Sequence, residues 1–252
     1  MLVVLALIAV ASIWYLYLYF AVLFRYTKNN RILVPGKTAK QVAEEMLAKL
    51  GYTDIQVVRA SYLWLFFFQN WGNRYSPRRK KILLYGNILN NSSVTAIALA
   101  TQKVGLVIQY KENEKKMKFR AKWEPWTRLA PNLFLPIVTI GLMVDFLFHY
   151  IVKDGNLTGF GLITLIFAII AVVYTIIAFY ALYLIIPTER RAGVLALDLI
   201  TKNNLLPAEH LARVETMYKT YVTKYLADFL LAILNLVYDL LRLAYVLARI
   251  RR

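Results

Sequence analysis

A mainly helical membrane protein carrying one small α+β domain is the fold class this sequence predicts, and three observations predict it. Of its 252 residues, 60% are hydrophobic, too large a share for an ordinary water-soluble domain. The apolar residues gather into long uncharged runs. Most charged residues fall in one segment between those runs, where helix caps, short β-type runs and turn residues follow one another. There is no cysteine, which excludes a disulfide framework and a thiolate metal site, and His149 and His210 are the only imidazoles.

The first run, Leu2 to Phe24, exceeds the roughly 20 residues needed to cross hydrocarbon. It reads as a retained anchor, because a signal peptide has a shorter apolar core, a basic leader and a small-residue cleavage site. A second run spans about Leu133 to Val152 and a third about Phe160 to Ile186, joined by Lys153-Asp154-Gly155-Asn156 into a helical hairpin. Residues 25–130 hold 20 Lys and Arg against 6 Asp and Glu, which accounts for +14 of the net +17. The positive-inside rule therefore places that segment in the cytoplasm and the N-terminus and hairpin turn outside. The same rule accounts for the basic balance without nucleic acid as a partner and leaves anionic lipid headgroups as the counter-charge. The expected layout is an anchor at 1–24, a basic cytoplasmic domain at 25–130, the hairpin at 131–186 and cytoplasmic helices at 187–252.

Within the basic domain, Pro35-Gly36-Lys37-Thr38 marks a boundary and Thr38 caps a helix carrying Val42, Ala43, Met46, Leu47 and Leu50 on one face, with Gly51 closing it. Ile55, Val57 and Val58 suggest a strand. Ser61 to Trp71 is dense in aromatics, with Tyr62, Trp64, Phe66, Phe67, Phe68 and Trp71. It reads either as a segment meeting the bilayer interface or a partner, or as a buried element of the domain, and length and periodicity do not decide. Asn73 to Ser76 with Pro77 predicts a turn, Arg78-Arg79-Lys80-Lys81 a basic cluster on a solvated turn, and Ile82 to Tyr85 a second strand. Those four cations also offer a grip for anionic lipid or an acidic partner. From Ser92 or Ser93 a helix begins, with Val94, Ile97, Ala98, Thr101, Val104, Gly105 and Ile108 along one side. Polar, basic sequence to Arg128 follows, and Trp123 and Trp126 suit a headgroup region.

Beyond the hairpin, Pro187 predicts the exit from the membrane, Ala192 to Asn203 a helix, and Leu206-Pro207-Ala208-Glu209 the start of another. In the last element, Tyr218 to Ile250, the polar residues Lys224, Asp228, Asn235, Asp239, Arg242 and Arg249 share roughly an 80° arc. A spanning helix would have to hide Asp228, Asp239 and Arg242 against protein, whereas an in-plane helix turns that stripe to water. The charge rule favours the in-plane helix.

The sharpest signal lies between Thr101 and Gln109. A zincin helix carries His-Glu-x-x-His, because two imidazoles four residues apart share a tetrahedral Zn²⁺ and the glutamate activates its water. Here those three positions are Gln102, Lys103 and Leu106. The chain resembles the membrane-bound neutral zinc metallopeptidases of bacteria. Gly36 and Val42-Ala43 match the early helix, Tyr75 and Pro77 the turn before the motif, and Ala96 to Ala100, Gly105 and Gln109 the motif helix. Pro187, Glu189 and Arg190-Arg191-Ala192 match the segment after the hairpin, and Glu209 with Tyr221-Val222 the final helices. The departures fall where the chemistry belongs: Gln102 and Leu106 replace the two histidines, Lys103 the glutamate, and Asn73-Arg74 an Asp-His pair. Glu189 alone resembles a third ligand and keeps its carboxylate.

The resemblance implies the family's scaffold without its zinc or hydrolysis: a pseudoenzyme with no cofactor in the bacterial cytoplasmic membrane. Its expected work is as an accessory, scaffolding or regulatory subunit, with membrane proteins, anionic lipids, a second copy or an active relative as partners. Two competing readings are an active peptidase with a rearranged metal set, such as Glu189 with His149 or His210, and a small transporter or channel component. Lys103 has two placements. It can sit at the metal position paired with Glu189, or it can point to solvent while Glu189 pairs with Arg190 or Arg191; the usual exposure of lysine favours the second. Asp145 and His149 share a helical face inside the second run and read as a structural hydrogen bond. His210 is expected on an exposed first turn.

Overall fold

Two helices of the basic domain begin at residues whose side chains cap them. Thr38 and Gln41 form a reciprocal capping box, the Gln41 amide donating to Thr38 Oγ1 at 3.4 Å and the Thr38 amide to Gln41 Oε1 at 2.9 Å. Ser93 Oγ accepts from the Ala96 amide at 3.1 Å and starts the longer motif helix. The computed structural model describes residues 2–60, 73–127, 130–151 and 161–250. Its elements run α1 (Leu2–Asn30), α2 (Ala39–Lys49), β1 (Gln56–Arg59), β2 (Arg74–Ser76), β3 (Lys81–Leu84), α3 (Gly86–Leu89), α4 (Val94–Lys111), α5 (Lys115–Thr127), α6 (Ala130–Ile151), α7 (Leu162–Lys202) and α8 (Ala208–Ile250). The fold is mainly helical with a small sheet. The aromatic segment with Tyr62, Trp64, Phe66, Phe67, Phe68 and Trp71 lies outside the described residues, as does the hairpin turn.

The chain divides into two compact units. One comprises Ile13–Lys122 and Leu184–Asp228. Its sheet has the order β1-β3-β2, with β1 parallel to β3 (Gln56 opposite Lys81) and β2 antiparallel to it (Arg74 opposite Leu83). The segment Asn73 to Ser76, expected as a turn, is therefore mostly strand. Tyr75 points inward there, and the reversal falls on the next four residues, with Lys80 at φ 49°. Arg78, Arg79 and Lys80 are exposed on that reversal, and Lys81 opens β3. Asp54 takes Lys80 at 3.2 Å and Lys111 at 2.9 Å.

The core of this unit joins Val42, Met46 and Leu47 of α2, Val57, Ile82 and Leu84 of the sheet, and Ala192, Ala196 and Ile200 of α7 around α4. Each fully buried Leu or Ile contributes about 1.5–3 kcal/mol. The sequence predicts one apolar side on α4, but every residue from Val94 to Gln109 is buried. Leu50, expected on the inner face of α2, is exposed at its C-cap.

The other unit comprises Met1–Ser12, Trp123–Tyr183 and Phe229–Arg252. Within it the Gly141 backbone lies so close to Phe167 that a Cβ would come within 2.5 Å of that side chain's Cβ, so only glycine permits this approach. Among the described residues two helices are long and apolar enough to cross a membrane, Leu5–Asn30 and Leu162–Lys202, and α6 carries the shorter apolar stretch Pro136–Tyr150. Two boundaries differ from expectation. Pro187 lies inside the continuous α7, and Pro207 is followed by one helix of 43 residues where two were expected. A proline costs a helix one backbone hydrogen bond; the chain here continues, with Thr188 Oγ1 donating to the Leu184 carbonyl at 2.6 Å one residue later.

Candidate functional site

The motif helix reaches α7 through a glycine. A Cβ on Gly105 would lie 2.7 Å from the Ala192 carbonyl oxygen, so only glycine lets the two backbones approach this closely. One turn further along α4, Gln109 Nε2 donates to the Thr188 carbonyl at 3.1 Å. Tyr218 of α8 donates its hydroxyl to the Ala98 carbonyl at 2.6 Å and so ties the start of α4 to the last helix. Gly105 and Gln109, the two motif residues that the chain keeps, are thus the ones that set the helix pair in register.

This register brings Lys103 to Glu189. The ammonium lies 3.4 Å from Oε2, inside the ~6 Å reach of a direct ion pair, and both residues are buried, Lys103 at 5% and Glu189 at 1% exposure. The exposed lysine that general experience favours is therefore corrected. Lys103 lies on a helix buried on every side, and an ammonium held there has to meet a carboxylate. Arg191 instead pairs with Glu114 at 2.6 Å.

A residue that the sequence did not single out completes the cluster. Arg120 of α5, 3% exposed, donates from Nη2 to Glu189 Oε1 at 2.7 Å and from Nη1 to Thr188 Oγ1 at 2.6 Å. Each carboxylate oxygen thus faces one cation. Burial by itself raises the Glu189 carboxyl, and the charges and hydrogen bonds of Lys103 and Arg120 outweigh it, holding the group ionised below its ordinary range. The only sequence signal for Arg120 was its place in a basic stretch, which does not distinguish it from Lys116, Lys118 or Lys122.

Gln102 and Leu106 are each buried at 2% exposure. An amide, an isobutyl group and two cations are the wrong donor set for Zn²⁺, which needs about four N, O or S ligands, most of them anionic or imidazole. Among the described residues no three His, Cys, Asp or Glu side chains group closely enough to hold a metal ion.

The other singled-out residues lie elsewhere. In the unit containing the hairpin, Asp145 Oδ2 accepts from the Gly161 amide at 2.7 Å, the Thr164 amide at 3.1 Å and Thr164 Oγ1 at 2.8 Å. His149 Nδ1 lies 2.9 Å from the Asp145 carbonyl. Asp145 is a helix cap supplied from a neighbouring helix, the structural role expected of it. His210 is half-buried beside Glu209 at 3.3 Å, less exposed than expected. On α8, Asp228 pairs with the buried Lys224 at 2.9 Å, Asp239 is half-buried and Arg242 is exposed.

These features define a class: a mainly helical protein with membrane-length apolar helices and a motif helix locked by ionic contacts against a later helix. A family model described as "putative neutral zinc metallopeptidase" matches residues 1–244, and the chain belongs to that family. No curated protein and no solved structure matches it.

Proposed function

We propose that this chain is a non-catalytic member of the neutral zinc metallopeptidase family that serves as an accessory, scaffolding or regulatory subunit of a membrane complex. One observation carries the reading: Lys103 and Arg120 hold the buried Glu189 from both sides where the family's reactive groups belong. Peptide hydrolysis by a zincin needs an open metal position and a carboxylate base, and residue 103 supplies a cation in place of that base. The scaffold residues Gly105 and Gln109 still make their contacts, which supports selection for the shape of the helix pair and not for turnover. The hairpin, the aromatic segment Tyr62 to Trp71 and the C-terminal helix are the proposed contacts for membrane proteins and anionic lipid. The charge distribution supports a multi-pass arrangement in a bacterial cytoplasmic membrane, with residues 25–130 in the cytoplasm.

Elemental analysis of the full chain purified in a mild detergent tests this. The expected result is no stoichiometric zinc after dialysis against added Zn²⁺, and no peptidase activity that a chelator removes. One zinc per chain together with chelator-sensitive hydrolysis would sink the proposal and establish a rearranged metal set instead.

A further inference from the structure

The last helix runs beside the first, and its contacts fix the direction. At one level Arg25 Nη1 of α1 donates to the Thr216 carbonyl of α8 at 3.1 Å and to Thr220 Oγ1. Further along, the Lys224 ammonium lies over the Tyr15 ring, 4.9 Å from its centroid. From Arg25 back to Tyr15 is about 15 Å of helix, and from Thr216 forward to Lys224 about 12 Å. The two helices are therefore antiparallel and side by side, with Leu18 and Val22 of α1 buried along this stretch. In the unit containing the hairpin, Phe229 meets Phe179 and Tyr183 of the apolar helix α7, ring centroids 6.2 and 6.1 Å apart.

A helix lying in the membrane plane would cross a spanning neighbour steeply and part from it. It would also turn its polar stripe to water and its apolar side inward. At this level α8 does the reverse. Lys224 is buried and pairs with Asp228 at 2.9 Å, whereas Leu226 and Leu230 are exposed. At 100° per residue Val237, Leu240 and Leu241, also exposed, fall on the same side as these two leucines, opposite the stripe.

The charges of α8 follow the depth of a bilayer. Counted from Thr220 at roughly 1.5 Å per residue, Lys224 and Asp228 stand about 6 and 12 Å along the helix, and they neutralise each other. Asn235, about 22 Å along, is uncharged. Asp239 and Arg242 make no ion pair among the described residues, and they stand about 28 and 33 Å along, where ~30 Å of hydrocarbon ends. Val3 of α1 is as far from Arg25 as Arg242 is from Thr220, about 33 Å.

We propose that α8 is itself a membrane-spanning helix, antiparallel to the anchor with its apolar side toward lipid, so that Arg242 and the terminal Arg249, Arg251 and Arg252 meet phosphate headgroups on the side of the anchor's N-terminus. This replaces the in-plane placement that the charge rule favours; the first helix usually dominates that rule, so arginines at the far end of the chain need not follow it. The inference rests on the multi-pass reading above, through α1.

The chain has no cysteine, so single substitutions report which face each position reaches. Val3→Cys and Lys28→Cys bracket the anchor; Glu209→Cys and Arg249→Cys bracket α8. Each full-length variant, expressed in a bacterial cytoplasmic membrane, is treated with a membrane-impermeant maleimide in spheroplasts before and after permeabilisation. Val3→Cys and Arg249→Cys are expected to label in intact spheroplasts, and Lys28→Cys and Glu209→Cys only after permeabilisation. The mirror-image pattern supports the crossing equally and reverses only the orientation. Arg249→Cys and Glu209→Cys reacting on one side while Val3→Cys and Lys28→Cys react on opposite sides overturns the inference and leaves the anchor standing. Val3→Cys and Lys28→Cys reacting on one side removes the anchor and the inference with it. Should Arg249→Cys not accumulate, an epitope placed after Arg252 of the unsubstituted chain decides: its loss to protease on the Val3 side supports the crossing, and its loss on the Glu209 side overturns it.

Discussion

Glu189 and Asp145 are both buried carboxylates on long helices, and they are held by different means. Glu189 takes charged side chains from two other helices, Lys103 of α4 and Arg120 of α5. Asp145 takes two backbone amides and one hydroxyl from the start of α7, with His149 on its own helix beside it. The first arrangement depends on distant segments meeting. The second is local and resembles an ordinary N-cap turned across a hairpin. Charged side chains from other helices accompany only the first, and one of them, Lys103, is carried by the family's motif helix.

The sharpest way to break this contrast is Glu189→Gln. It leaves two cations facing a neutral amide in the interior, and denaturant unfolding of the full chain should show a loss of about 3–5 kcal/mol. A loss below about 1 kcal/mol would mean that the cluster does not hold the helices. The pH dependence sharpens the same point. The folded carboxyl titrates below its ordinary value of 4.5, so its stabilisation is complete at neutral pH and falls away as pH drops below that value. Acid unfolding of Glu189→Gln should lack this component.

Gly105→Ala comes next, because its Cβ would meet the Ala192 carbonyl oxygen at 2.7 Å. The backbones must move apart, at about 1–3 kcal/mol, and unfolding of this variant should leave the hairpin's amide protection unchanged. Equal stability to the parent would show that the close approach is not required.

The smallest effect belongs to the local site. Asp145→Ala should speed hydrogen exchange of the Gly161 and Thr164 amides by about tenfold, consistent with loss of one cap. A collapse of the whole fold on this substitution would erase the distinction between the two carboxylates.

Much of the fold was legible in residue types. The Thr38 capping box, the Ser93 cap, the strand at Gln56–Arg59 and the long apolar helices follow from side-chain chemistry within a few residues of each feature. Pro187 misled because its missing N–H is a local cost, whereas α7 is held on both sides of it by packing of Ala181, Leu184, Ala192 and Ala196. The site was half legible: Glu189 and the positions Gln102, Lys103 and Leu106 stood out against the motif and a buried Lys103–Glu189 pair was one of two open placements, but the part played by Arg120 did not stand out.

The sequence by itself determined the family, the apolar helices, the basic segment and the presence of Gln102, Lys103 and Leu106 on the motif helix, since each depends on which side chains occur at which short spacing. Only the tertiary structure decided that Lys103 and Arg120, 17 residues apart, converge on Glu189. Ion pairing acts through space over a few ångströms, and that distance exists only after Gly105 has let two helices approach more closely than any other residue allows.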